Sequence, residues 1–85
     1  MILPTVDDMK DGMEGKLSIE ETVAAVGTTV RNVKYWTRRH RIPTERSGRR
    51  IYYDDRGVRL LRLVRDLADL GVFHARYIDW ILDGL

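Results

Sequence analysis

Between Val26 and Tyr53 the sequence sets a small-residue turn, a basic amphipathic segment and a short Arg-rich hairpin pattern one after another. Val26-Gly27-Thr28 closes one helical pattern, and Thr29 can cap the next, which runs to about Arg39 or His40. Val33, Trp36 and His40 recur on one face of that second helix, with Val30 at its edge. Arg31, Lys34, Tyr35 and Arg38 recur three or four residues apart on the other side. An ordinary solvated helix would carry acids among those bases for i,i+4 pairing, and this one carries none. After Pro43, Thr44-Glu45-Arg46 and Arg50-Ile51-Tyr52 read as two short strands joined by Ser47-Gly48-Arg49. Strands this short do not stand alone and must lean on a helical core, with Ile51 as an anchor. Few folds satisfy all of this, and a helix-turn-helix followed by a wing is one.

Charge points to the kind of partner. Residues 31–65 hold twelve basic side chains against three acidic ones, a local net charge of +9 in a chain whose total is +2. Residues 1–30 and 66–85 are both net acidic. Arg46, Arg49 and Arg50 crowd one small loop, which is unfavourable unless an anion neutralises them. Arg predominates over Lys, and its planar fork suits bidentate contact with phosphate or guanine. A concentrated positive stretch in a nearly neutral protein is the footprint of a polyanion, and the helix and wing make that polyanion duplex DNA.

Other functions are poorly supplied. The chain has 85 residues, enough for one domain with a modest core. It has no cysteine, so disulfides, thiolate metal sites and cysteine nucleophiles are excluded. Two histidines, His40 and His74, lie in separate elements with no evident carboxylate beside them, so neither a metal site nor a catalytic pair is expected. Ser18 and Ser47 are accounted for as a cap and a turn. We expect no enzyme, no cofactor and no small-molecule effector site in this chain. Nothing resembles a signal peptide or approaches the roughly 20 apolar residues of a membrane span, so a cytoplasmic location is expected.

Residues 1–16, with Pro4, Gly12, Gly15 and four acids, read as a flexible acidic leader, and residues 17–85 as the domain. Ser18-Ile19-Glu20-Glu21 is a capping box opening the first helix, whose buried stripe is Ile19, Thr22, Val23 and Val26. Asp54 or Asp55 caps a third helix that reaches Leu70 and stops at Gly71. Its inner stripe is Val58, Leu61, Val64, Leu67 and Ala68, widened by Leu60, Leu63 and Leu70. Arg56, Arg59, Arg62 and Arg65 step along its outer side as a mostly solvated row, the first two closest to the wing. A fourth helix covers roughly His74 to Asp83, with either Ala75, Ile78 and Leu82 or Tyr77 and Ile81 inward. Trp80 is expected to pack on the domain rather than to serve as an interface anchor.

These pieces in this order resemble the DNA-binding domain of MerR-type winged-helix regulators over residues 17–82. Val26-Gly27-Thr28 corresponds to the family's turn, and Val33-Lys34-Tyr35-Trp36 to its Leu-Arg-Tyr-Tyr type segment. Gly48-Arg49-Arg50-Ile51-Tyr52 is similar to its Gly-Tyr-Arg-x-Tyr wing, and Leu70-Gly71 to its Leu-Gly break. Trp36-Thr37-Arg38-Arg39-His40 is closer to the Trp-Glu-Arg-Arg-Tyr variant of the branch attached to cobalamin-binding sensor domains. Three positions depart from the pattern: Arg49 replaces an aromatic, Thr37 an acid, and Phe73 a helix-capping Ser. The long dimerising helix and effector domain of family members have no counterpart in this sequence.

The resemblance implies that Arg31, Lys34 and Tyr35 approach bases and phosphates, with Arg50 and Tyr52 gripping and positioning in the wing. The full candidate set is Thr29, Arg31, Lys34, Tyr35, Arg38, Arg46, Arg49, Arg50 and Tyr52. The expected architecture is a mainly α, four-helix winged helix-turn-helix with a two-stranded wing. It would bind double-stranded DNA in transcription control, as a free monomer that acts on DNA in several copies or through a partner. An excisionase-like or packaging-type architectural DNA-binding factor is the alternative on the same fold, and a protein-interaction adaptor is the alternative outside it.

Overall fold

The computed structural model describes residues 15–72 and 74–84, so the leader up to residue 14 and the Phe73 departure lie outside the described residues. The elements are β1 (Leu17–Ser18), α1 (Ile19–Val26), α2 (Val30–His40), β2 (Glu45–Ser47), β3 (Arg50–Tyr53), α3 (Asp55–Asp69) and α4 (Ala75–Asp83). The protein is a four-helix winged helix-turn-helix, as its sequence predicts.

Local chemistry sets most of the helix ends. Ser18 Oγ accepts from Glu21 N at 3.2 Å, and Glu21 Oε1 accepts from Ser18 N at 2.9 Å, which completes the capping box. Thr29 caps α2 by accepting from Asn32 N, and Asp54 caps α3 by accepting from Gly57 N. Gly27 sits at φ 81, the left-handed region that ends α1 and begins the turn. A Cβ there would come within 3.1 Å of an Arg65 guanidinium nitrogen, the end of a flexible side chain that can shift aside, so the left-handed backbone is what calls for glycine. The end of α2 carries no such sequence signal. Arg41 adopts φ 54 there, and the amides of Arg41 and Ile42 both donate to the Thr37 carbonyl. Left-handed backbone at a non-glycine residue costs of order 1 kcal/mol, and it turns Ile42 into the core, where only 4% of it is exposed.

The wing is larger than a hairpin. Ser47 pairs with Arg50 as strand residues, so the turn is Gly48-Arg49 alone rather than Ser47-Gly48-Arg49. Gly48 at φ 63 leads it, the arrangement of a II′ turn. β1 then adds a third antiparallel strand in the order β1-β3-β2, with Leu17 opposite Tyr53 and Ser18 opposite Tyr52. The residues just before the capping box thus do two jobs, pairing with the wing and opening α1.

Behind this surface lies one core. Val33 of α2, Val26 of α1, Tyr53 of β3, Val58, Leu61 and Val64 of α3, and Ile78 and Leu82 of α4 form a single buried cluster. The first of the two registers considered for α4 is the one adopted, since Tyr77 stays exposed while Ile78 and Leu82 are buried. Two expectations are corrected. Leu70 does not widen the stripe of α3; it caps the helix and is 78% exposed. Trp80 does not pack on the core but stands 70% exposed, stacked on Tyr77 with ring centroids 5.9 Å apart. In each case the residue lies past the arc of helix that the neighbouring elements cover.

Candidate nucleic-acid interface

On α2 the predicted face stands as one surface. Arg31, Lys34, Tyr35 and Arg38 are all exposed and line a shared groove together with Asn32. A second groove lies between α2 and the wing, lined by Lys34, Arg46, Arg49, Arg50, Ile51 and the Ser18-Ile19-Glu20 turn. Lys34 lines both. The helix face and the wing therefore form one continuous basic surface with Lys34 at the junction.

Ion pairs and a helix end hold several of the bases that lie off this surface, though Arg41, Arg56 and Arg76 have no acidic partner among the described residues. Arg39 is held by Asp79, Arg59 by Asp55, and Arg65 by Asp66 and Asp69. Arg62 donates to the Ala25 carbonyl at 3.1 Å, placing a cation at the negative end of α1. Arg31, Lys34, Arg38, Arg46, Arg49 and Arg50 have no acidic partner among the described residues. The three acids of the basic stretch are all occupied: Asp54 as a cap, Asp55 by Arg59, and Glu45 by Lys16 at 2.9 Å. The Glu45 contact holds the Lys16 ammonium pKa above its ordinary value, first through the hydrogen bond and then through charge. Lys16 thereby screens the one acid on the wing strands.

The remaining candidates occupy different positions. Thr29 is exposed at the start of α2, and its oxygen accepts the cap bond from Asn32 N. A hydroxyl that accepts one bond still has a proton to donate. Tyr52 lines neither groove and is 9% exposed. It alternates with Ile51 and Tyr53, the two residues of β3 that meet the core, and its strand partners are Ser18 and Glu45. From there it can hold the strand that presents Arg50, but it does not offer an open ring.

Three residues outside the candidate set also line or brace this surface. Asn32 stands in the α2 groove and donates from its side-chain amide to Thr28 Oγ1 at 3.0 Å. Its place one residue after Arg31 on the same helix was the available signal. Glu20 puts an acid at the rim of the wing groove. Thr37 links helix to sheet: its hydroxyl donates to the Val33 carbonyl at 2.6 Å and meets the Tyr53 hydroxyl at 2.7 Å. With the Thr37 proton so placed, Tyr53 is the donor in the second bond, and burial pushes its phenol pKa up, which keeps that proton in place. This chain of bonds fixes α2 relative to β3 and explains why threonine fits at 37.

At the far end of α2 one expectation is overturned. His40 does have a carboxylate beside it: its Nδ1 lies 2.6 Å from Asp79 Oδ1, while Arg39 donates to Asp79 Oδ2 at 3.2 Å. The contact spans 39 positions and pins α4 to the C-terminus of α2. The Asp79 carboxyl pKa is lowered, chiefly by the His40 hydrogen bond and also by the charges of His40 and Arg39, against an opposing effect of burial. A carboxyl with a lowered folded pKa contributes stability that is present above its ordinary value of 3.8 and lost as pH falls through the folded value. Asp79→Asn should therefore make the loss of stability shallower between about pH 5 and pH 2, read by urea unfolding at each pH. An unchanged acid limb would show that the contact is not coupled to folding.

Fold and surface together define a winged helix-turn-helix with one continuous basic face. The family described as MerR HTH family regulatory protein matches residues 17–76, and the chain belongs to that family of DNA-binding helix-turn-helix regulators of transcription. No curated protein and no solved structure matches it. Among the described residues, no helix is long and apolar enough to cross a membrane, and no cluster of His, Cys, Asp and Glu could hold a metal ion.

Proposed function

We propose that the chain is a sequence-specific duplex DNA-binding module of transcription control, with α2 in the major groove and the wing on the flanking backbone. One observation carries this reading. Six cations without acidic partners line two grooves joined at Lys34, while two acids of the same stretch are ion-paired to other bases and the third caps a helix. An uncompensated positive surface of this kind is unfavourable in the free protein and favourable against phosphates. Arg31, Lys34 and Asn32 are the side chains that would read base edges, since Arg and Lys suit guanine and Asn suits adenine in the major groove. Arg46, Arg49 and Arg50 would hold phosphates, with Tyr52 supporting their strand, and contacts of that kind position the protein without reading sequence. Tyr35, Arg38 and the Thr29 cap would complete the helix side.

A single module buries only about 600–1,000 Å² on DNA, so one copy would bind loosely, and we read the free chain as a monomer at micromolar concentration that acts on DNA in multiple copies. Selection from a pool of random duplexes tests specificity. The expected result is enrichment of a short motif read in the major groove. Retention of the pool without enrichment would favour the architectural role, and no retention would favour the protein adaptor.

A further inference from the structure

The groove on α2 is lined mostly by donors. Arg31, Lys34 and Arg38 can only donate hydrogen bonds, so its side-chain acceptors are the Tyr35 hydroxyl and the Asn32 carboxamide. Of these two, Asn32 stands nearer the start of α2, at its third residue, where a recognition helix meets base edges. Its backbone is fixed there, since Asn32 N donates to Thr29 Oγ1 at 3.1 Å. Its carboxamide is fixed as well, because Nδ2 donates to Thr28 Oγ1 at 3.0 Å. Thr28 is held in turn by the end of α1, where the amides of Gly27 and Thr28 both donate to the Val23 carbonyl. The turn between the two helices thus sets how Asn32 faces outward.

What that bond leaves free on Asn32 has a definite pattern. A carboxamide carries two N–H donors and one oxygen acceptor. Thr28 takes one donor, which leaves one N–H and Oδ1 for a ligand. In the major groove adenine offers an N7 acceptor and an N6 donor, the complement of that pair. Guanine offers two acceptors, N7 and O6, and its O6 would face Oδ1 with no proton between them. A carboxamide turned over, with Oδ1 toward Thr28, would present two N–H donors instead and would suit guanine. The Thr28 contact therefore decides which purine Asn32 fits.

We propose that Thr28 is a positioning residue for base recognition: by holding Asn32 through Nδ2, it makes α2 read adenine over guanine at one position of the duplex. The inference rests on the proposed placement of α2 in the major groove. It suits the rest of the face, since Arg31 and Lys34 fit guanine and Asn32 supplies the acceptor that they lack. Thr28 itself lines neither groove, so it acts through Asn32 and not by its own contact with a base. Holding the carboxamide in the free protein also spares rotamer entropy on binding.

Titration of the full chain on the motif selected from random duplexes, and on its single-base variants, tests this. The motif should contain an adenine whose replacement by guanine weakens binding by about tenfold or more. Asn32→Ala should remove that preference and leave those at other positions. Replacing the same adenine by 7-deazaadenine, which lacks the N7 acceptor, should weaken the unaltered chain by about fivefold and Asn32→Ala by less than about twofold. Thr28→Val keeps the side-chain shape and loses the hydroxyl, so the adenine-to-guanine ratio should fall by about fivefold, and Thr28→Ser should restore it. A merely structural role for Thr28 would change affinity for both duplexes alike. An unchanged ratio in Thr28→Val, or a position governed by Asn32 that prefers guanine, would overturn the inference and leave the DNA reading in place. Enrichment of no motif at all would overturn sequence-specific reading and the inference with it.

Discussion

Arg31→Ala or Lys34→Ala should cost about 1–3 kcal/mol on the preferred duplex, the value of one bidentate base contact, and should relax the preference at one base position. Arg49→Ala or Arg50→Ala should weaken binding to all duplexes about equally and flatten its salt dependence by about one unit per lost phosphate contact. The contrast follows from position: Arg31 and Lys34 project from the helix proposed to enter the groove, whereas Arg49 and Arg50 lie in and beside the two-residue turn of the sheet. Lys34 lines both grooves and should show some of each behaviour. Anisotropy titrations on the selected duplex and on point-mutated duplexes read both effects. Wing variants that change the preferred sequence, with helix variants that leave it alone, would reverse the assigned roles.

The second large effect is on the fold that presents this surface. Leu61 has no exposure and sits in α3 at the centre of the cluster that joins α1, α2, β3 and α4. Leu61→Ala should destabilise by about 2–5 kcal/mol, combining lost burial with an unfilled cavity. For a domain of this size each kcal/mol lowers Tm by about 4–8 °C, so thermal unfolding will show it clearly. Leu70→Ala, at an exposed position, should stay within about 0.5 kcal/mol. Similar losses at the two positions would mean that the core is not organised around α3 as described.

What the sequence made legible is what is decided within a few residues. The Ser18–Glu21 box, the Thr29 and Asp54 caps and the left-handed Gly27 all rest on contacts three or four residues apart, and each is where its pattern places it. The basic face of α2 was legible for the same reason, because helical spacing alone brings Arg31, Lys34, Tyr35 and Arg38 together. Long-range chemistry was not legible. Pairing of Leu17 with Tyr53 and of His40 with Asp79 depends on how distant segments pack, and no local residue choice announces either. Arg41 takes a conformation that favours glycine because Ile42 must reach the core. Trp80 reads as a core residue by type, yet nothing among the described residues covers the arc of α4 on which it stands. Strand alternation could have separated Tyr53, in the central core cluster, from the opposite-facing Tyr52, but only once the strand was known to include residue 53.

The dependence of DNA affinity on salt reports how many of these cations meet phosphate. Every phosphate contacted releases counterions, so log affinity should fall linearly with log salt at about −0.9 per contact. Phosphate contacts from Arg38, Arg46, Arg49 and Arg50, with a share from Lys34, would give a slope of about −4, and Ala substitutions at Arg46, Arg49 and Arg50 should reduce it stepwise. A slope shallower than about −2 for the unaltered chain would contradict the account, because the surface from Arg31 to Arg50 would then not be where DNA lies.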